Sequence, residues 1–327
     1  MTKNQLIIGS RGSELALWQA QHVADLVTAK FPDLMVAIEI IQTMGDKVLD
    51  TSLSVIGGKG VFTKEIESSL LRGDVDIAVH SLKDLPTQLP EGLMLGAIPE
   101  RANVEDVFLS KDVNTRLMHL PDGATIATGS LRRKAQLLAK RPDFNIEDIR
   151  GNVPTRIRKL LDSNWDGMIL AGAGLYRLGL TEHIAHEISL EWVLPAVGQG
   201  ALGIECRSDD ADVQSLLAAL NHAPTQVAVT SERALLAALG GGCQVPIGAY
   251  GRVLGPTLEL SACVAALNGE SIVRAEHSGA ITNAERIGAE LAQTLLGMGG
   301  KEMMEAFSID AGWLAPDPTG TNHHPEA

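Results

Sequence analysis

Asp76-Ile77-Ala78-Val79-His80-Ser81-Leu82-Lys83-Asp84-Leu85-Pro86 decides how the chain is read. Asp76 to His80 is a short strand of small and β-branched residues, and it gives way at once to a lysine, an aspartate and a proline. A strand that ends in charge belongs at the carboxyl edge of a largely parallel sheet, where α/β folds gather their functional groups. The residues before it fit. Leu6 to Gly9 reads as a strand, Glu14 to Lys30 as a helix, Val36 to Ile41 as a strand and Lys64 to Leu71 as a helix. A second unit of the same rhythm starts near residue 105, with strands at Thr125 to Thr128, Asn145 to Ile149 and Met168 to Leu170. Helices at Leu131 to Lys140 and Thr155 to Leu161 separate them. Two similar α/β lobes are therefore expected.

At Leu194-Pro195-Ala196-Val197-Gly198-Gln199-Gly200 the pattern breaks into a crossing, then resumes with a strand at Ala201 to Glu205 and a helix at Asp212 to Leu220. From about His222 the order changes. A helix at Gln226 to Leu239 precedes apolar runs at Ile247 to Val253, Leu258 to Ala266 and Ser271 to Glu276, and a helix follows at Ala284 to Leu296. Consecutive strands between helices predict a small α+β domain with an antiparallel sheet. The Pro-rich polar end, residues 313–327, reads as a disordered tail, and its His323 and His324 as solvated rather than metal-bound.

The chain has 327 residues, enough for two or three domains with cores that need neither disulfides nor a structural metal. Its formal charge is −13, from 27 Lys and Arg against 40 Asp and Glu, which argues against general attraction to nucleic acid or an anionic membrane. Aromatics make up only 3%, too few to offer stacking platforms to single strands. No apolar run approaches the roughly 20 residues of a membrane span, and Met1-Thr2-Lys3-Asn4-Gln5 does not open a secretory signal, so the cytoplasm is the expected location. Cys206, Cys243 and Cys263 lie far apart without a CxxC pair, which suggests neither a disulfide framework nor zinc.

Against that acidic background, Arg132 to Lys159 holds nine basic residues and three acids. Most charge runs are solvated helix faces, and Lys134, Lys140 and Lys159 are read that way. Ser130-Leu131-Arg132-Arg133 instead opens a helix directly after a strand, where backbone N–H groups and the helix dipole favour anions, and Arg150-Gly151-Asn152 likewise follows a strand. Arginine suits a two-pronged grip on carboxylates or phosphates. Lys83 and Asp84 fall at the cleft rim, and a carboxylate among cations can stabilise a developing positive charge. Ile8-Gly9-Ser10-Arg11-Gly12-Ser13 repeats the strand-to-helix entry, with Ser13 placed to cap the helix. Gly57-Gly58-Lys59-Gly60 does not fit GxxxxGK[ST] and reads as a lid or linker loop carrying Lys59 toward the cleft.

Gly240-Gly241-Gly242-Cys243 follows the Gln226 to Leu239 helix. The glycines could serve only as a cap and turn, and a lone cysteine is usually an inert small hydrophobe. The same glycines also strip cover from the sulfur and hold it on a loop, so a covalent tether is the simpler functional reading. Cys206 and Cys263 lie in or beside strands and read as structural.

Taken together, Ile8 to Trp18, Thr43 to Asp46, Gly57 to Glu67, Asp76 to Pro86, Ser130 to Arg133, Arg150 to Arg156, Leu194 to Cys206 and Gly241 to Gly248 resemble the porphobilinogen deaminase (hydroxymethylbilane synthase) family, in that family's order and over nearly the whole chain to about residue 300. The resemblance implies an α/β protein of three domains. Residues 1–100 with 200–219 and residues 105–194 would form two periplasmic-binding-protein-like (type II) lobes with mixed, mainly parallel sheets. Residues 222–312 would form the antiparallel α+β domain. The reaction implied is a transferase condensation, in which four porphobilinogen molecules join head to tail with loss of four ammonias into hydroxymethylbilane, a step of tetrapyrrole and heme biosynthesis.

The resemblance also implies a dipyrromethane cofactor in thioether linkage to Cys243. Asp84 would be the catalytic carboxylate, and Lys83, Ser130, Arg132 and Arg133 would hold the cofactor's acid arms. Arg11, Ser13, Arg150, Arg156, Arg177 and Lys59 would receive substrate and growing chain. No metal, nucleic acid or membrane enters; porphobilinogen is the partner, met by a monomer. The chain departs from the family pattern at Gly129, where a serine is usual, and at Leu53-Ser54-Val55-Ile56, which lacks a common lysine. A non-catalytic anion receptor on the same lobes, or a nucleic-acid binder using Arg132 to Lys159, are the rival readings; neither needs a cysteine in a glycine loop.

Overall fold

A computed structural model describes residues 4–43, 63–241 and 245–310. Lys59, Cys243, the Leu53-Ser54-Val55-Ile56 stretch and the 313–327 tail lie outside the described residues.

The first lobe is built on strands β1 (Gln5–Ser10), β2 (Met35–Ile40), β3 (Ile77–Ser81) and β4 (Leu93–Ala97), with helices α1 (Glu14–Lys30) and α2 (Lys64–Arg72). Leu6 and Ile8 alternate inward along β1, and α1 buries Ala20, Val23, Ala24 and Val27, which recur at helical spacing on one face. Ser13 caps α1 by accepting the Ala16 N–H at 3.3 Å. β1 pairs in parallel with both β2 and β3. Each fully buried Leu, Ile or Val in such a core contributes roughly 1.5–3 kcal/mol.

The second lobe repeats the plan with β5 (Asp106–Leu109), β6 (Thr125–Ala127), β7 (Asn145–Glu147), β8 (Gly167–Ala171) and β9 (Ile184–Glu187). Its helices are α3 (Leu131–Lys140), α4 (Val153–Asp162) and α5 (Gly172–Leu178). Ser130 and Asn152 cap α3 and α4 by accepting backbone N–H groups of Arg133 and Thr155. After β9 the chain returns to the first lobe as β10 (Leu202–Arg207), followed by α6 (Ala211–Ala218). The two sheets thus run β2-β1-β3-β10-β4 and β7-β6-β8-β5-β9. In each, the fourth strand is antiparallel to both neighbours: β10, sent back from the second lobe, and β5, the first strand to leave the first lobe. Reading the residues alone gave the strand at Ala201 to Glu205 but not its return across the cleft; the resemblance supplied that.

The third sheet, β11 (Ile247–Leu254), β12 (Thr257–Ala265) and β13 (Ile272–Ala280), is an antiparallel meander. It packs against α7 (Ala223–Ala238) and α8 (Ala284–Leu295), with α9 (Lys301–Asp310) beyond. Most expected elements appear with ends moved by one to three residues. The third strand of the meander is the larger correction: it extends through Ala280 rather than stopping at Glu276, because it pairs with β12 along its full length. α9 was not anticipated, and neither were β4, β5, β9 and α5. The last four are short, four to seven residues, and too brief to show a period.

The third domain is tied to both lobes by polar bonds, most of them partly buried. Glu232 on α7 takes two bonds from the Arg101 guanidinium, at 2.6 and 3.1 Å, and accepts the N–H groups of Gly198 and Gly251. Arg233 donates to the carbonyls of Leu85, Pro86 and Thr87, just beyond Asp84. On the other side, Arg274 of β13 donates to Leu190, Glu191 and Trp192 carbonyls and to Gln136.

Candidate active site

Asp84 ends a single 3₁₀ turn, Leu82–Asp84, that follows β3 directly. The turn directs Leu82 inward, where it is buried, and leaves Asp84 exposed at the strand end. A cavity of ≈ 80 Å³ opens there, and Asp84, Arg11 and Ser13 all line it. Four polar lining residues were not singled out from the sequence: Gln19, Thr63, His80 and Ser81. Gln19 donates to the Ser81 hydroxyl at 2.7 Å, which links α1 to the end of β3. A glutamine six residues after the Ser13 cap carries no motif, so only its place on the inner face of α1 reveals it.

Across the cleft, α3 delivers Arg132 and Arg133 to one carboxylate. Arg132 donates to Asp106 Oδ2 at 2.8 Å and Arg133 to Asp106 Oδ1 at 2.9 Å. All three residues are buried. Burial by itself would raise the Asp106 carboxyl, but the two guanidiniums outweigh it and hold the group well below the usual carboxylate range. Gln199 donates to Asp106 as well, at 2.9 Å, so the crossing segment reaches the same anchor. Asp106 opens a strand that was itself unseen, and nothing at sequence level marked it.

Lys83 stands between the lobes. Burial pushes its ammonium down to about 8; Arg133 and Arg132 act the same way, and Asp84 and Asp106 resist. Arg156 is pushed down to about 10, first by burial and then by Arg133, with Asp84 and Asp148 opposing. At neutral pH both remain charged. Among the described residues, Lys83, Arg132, Arg133 and Arg156, with Arg150 beside them, thus share three carboxylates, Asp84, Asp106 and Asp148, and cationic charge remains in excess.

The remaining expected residues are distributed around this centre. Arg150 pairs with Asp148 at 3.1 Å, and Lys159 donates to the Arg150 carbonyl. Arg177 lies at the lobe junction, where it donates to the Gly200 carbonyl at 2.7 Å and sits over the Trp18 ring. It does not line the Asp84 cavity. Ser130 is the α3 cap, with its oxygen accepting the Arg133 N–H at 3.4 Å and its own O–H left to donate. Arg141, part of the basic run, is engaged by Asp143 and packs over Phe144. Lys140 and Lys159 are exposed, as surface residues of that run. Cys206 and Cys263 are buried, and burial raises both thiols, Cys206 to about 11. On the near side of the cysteine loop, Gly240 adopts a left-handed φ of 66° that ends α7.

A family model described as "Porphobilinogen deaminase, dipyromethane cofactor binding domain" matches residues 6–215. A second, "Porphobilinogen deaminase, C-terminal domain", matches residues 226–297. The chain belongs to the porphobilinogen deaminase family. A porphobilinogen deaminase from Pelobacter propionicus is 50% identical over 305 residues, 93% of this chain and 98% of that one. Another from Desulforudis audaxviator is 51% identical over 302 residues, 92% of this chain and 97% of its own. The periplasmic VFT2 domain of Bordetella pertussis BvgS aligns with 66% of this chain and 86% of its own at 14% identity and a TM-score of 0.40.

The family's first domain is one that binds dipyrromethane, and the charge distribution here fits such a group. A ligand rich in acid arms supplies the anions that the Lys83, Arg132, Arg133 and Arg156 cluster lacks. Arg133 Nε, buried and without a hydrogen-bond partner among the described residues, offers a further donor. A Cβ at Gly129 would stand 2.5 Å from the Ile149 carbonyl oxygen, so the backbone comes too close there for a side chain.

Proposed function

We propose that the chain condenses four porphobilinogen molecules head to tail, releasing four ammonias, and then frees hydroxymethylbilane by hydrolysis. It does so as a cytoplasmic monomer without nucleic-acid or membrane partners. Residues 1–100 with 200–219, 105–194 and 222–312 act as its three domains. The observation that carries this reading is one exposed carboxylate, Asp84, set at the mouth of a cleft with surplus fixed cations.

When bound through Cys243, the dipyrromethane supplies a tethered pyrrole to which units are added. Lys83, Ser130, Arg132 and Arg133 hold its carboxylates. In the low-dielectric cleft such charge-assisted bonds are about twice as strong as neutral ones. Arg11, Ser13, Arg150, Arg156, Arg177 and Lys59 receive the acetate and propionate arms of substrate and growing chain. Asp84 accepts pyrrole N–H bonds and stabilises the positive charge that spreads over the substrate ring as ammonia departs, without the reorganisation that water would need. Arg177 binds the Gly200 carbonyl across the lobe junction, so it can respond to lobe movement as the chain lengthens.

Denaturing mass spectrometry of the purified chain tests the assignment. The expected result is a two-pyrrole adduct that disappears in Cys243→Ser. A bare chain mass in the wild type would support an anion receptor instead.

A further inference from the structure

His80 shares the Asp84 cavity, yet the reaction as described gives it no task. Its Nε2 lies 3.0 Å from Glu205 Oε2 on β10, with the two side chains only 6% and 0% exposed. The register sets His80 opposite Gly203 and Glu205 opposite Ala78, so the pair reaches diagonally across the β3–β10 ladder. Glu67, buried on α2, lies within electrostatic reach of both. Glu67 Oε1, Glu205 Oε1 and Thr63 Oγ1 are all buried with no hydrogen-bond partner among the described residues.

Ionised carboxylates only accept hydrogen bonds, so two buried carboxyl groups within electrostatic reach of each other are relieved when one keeps its proton. Burial raises the Glu67 carboxyl, the Glu205 charge adds to that, and Thr63, His80 and Lys64 oppose. The set is thus two buried carboxyl groups and an imidazole, the last of them at the cavity wall.

We propose that His80 passes protons between this buried set and the Asp84 cavity during deamination, an inference that rests on the function proposed above. In each condensation the aminomethyl C–N bond of the substrate breaks and its electron pair leaves on ammonia. A C–C bond then forms from the α-carbon of the acceptor pyrrole. That carbon gives up one proton and ammonia takes one up to leave as ammonium, so the count is conserved. Nε2 is engaged by Glu205, which leaves Nδ1 to take the proton from carbon and return one to nitrogen. Glu205 balances the imidazolium in between. The other charged groups facing this exchange are Asp84 and Arg11 on the cavity and Lys64 on α2.

The test uses the holoenzyme. His80→Gln keeps a donor for Glu205 but cannot titrate. It should fold and carry the normal adduct mass, with kcat lowered about 100-fold, KM little changed and the acid limb of the pH–rate profile flattened. A kcat within about threefold of wild type and an unchanged profile would overturn the relay. Should the variant not fold, ¹⁵N spectra of the wild-type His80 ring decide. A ring that changes protonation over the pH range of the kcat limb supports the relay, and one fixed in charge and tautomer overturns it. A wild-type enzyme that releases no ammonia from porphobilinogen would contradict the proposed function itself, before the variant is read.

Discussion

Asp106 anchors Arg132, Arg133 and Gln199 at once, and its carboxylate is fully buried. Removing its charge strands two buried guanidiniums, so Asp106→Asn should cost about 3–5 kcal/mol, read from urea unfolding. The pH dependence follows from its lowered carboxyl. The stabilisation is fully present above the unfolded carboxyl's pKa of about 3.9 and drains away as the pH falls further, so wild type should show an acid-induced loss that Asp106→Asn lacks. Lys83 gives a second residue-scale test. After reductive dimethylation, its ¹³C signal should titrate near 8 while most lysines titrate near 10.4. Its hold on carboxylates then weakens as pH rises through that midpoint; titration with the bulk lysines would contradict the account. Lys83, Asp84 and the α3 arginines were legible in the sequence because each follows a strand end. Asp106, Gln19 and Glu205 were not, since their importance comes from burial and from partners that are distant along the chain.

At the scale of elements, most periodic helices and β-branched strands declared themselves, and β4, β5 and β9 did not. β5 offers only Asp-Val-Phe-Leu, all buried, which carries no alternation to read. The return of β10 to the first lobe depends instead on the Leu194 to Gly200 crossing. Gly200 has φ +83°, and a Cβ there would stand 2.6 Å from the Asn103 oxygen and 2.7 Å from that of Ala102. The two crossing segments lie against each other at this point, joined by the Ala102 N–H to the Gly200 carbonyl at 3.1 Å. Gly200→Ala should therefore lower Tm by several degrees, corresponding to more than about 1 kcal/mol, because it adds both a disfavoured φ and a backbone clash. An unchanged Tm would show that the crossing yields easily.

For the whole molecule, the arrangement places the small antiparallel domain against two lobes that face each other across a locally cationic cleft. Glu232 joins α7, both crossing segments and β11, while Arg233 of the same helix grips the loop after Asp84. That helix is thereby fixed to the strand end that carries Asp84. The three-part plan was legible as a change of rhythm near His222, but the bonds that hold the parts together were not. The central claim is growth of a pyrrole chain on one sulfur. Intact mass of the holoenzyme after limited porphobilinogen reads this directly. The account predicts a ladder of additions, each the mass of one porphobilinogen less ammonia, all absent from Cys243→Ser; a single unshifted mass with the monomer unconsumed would contradict it.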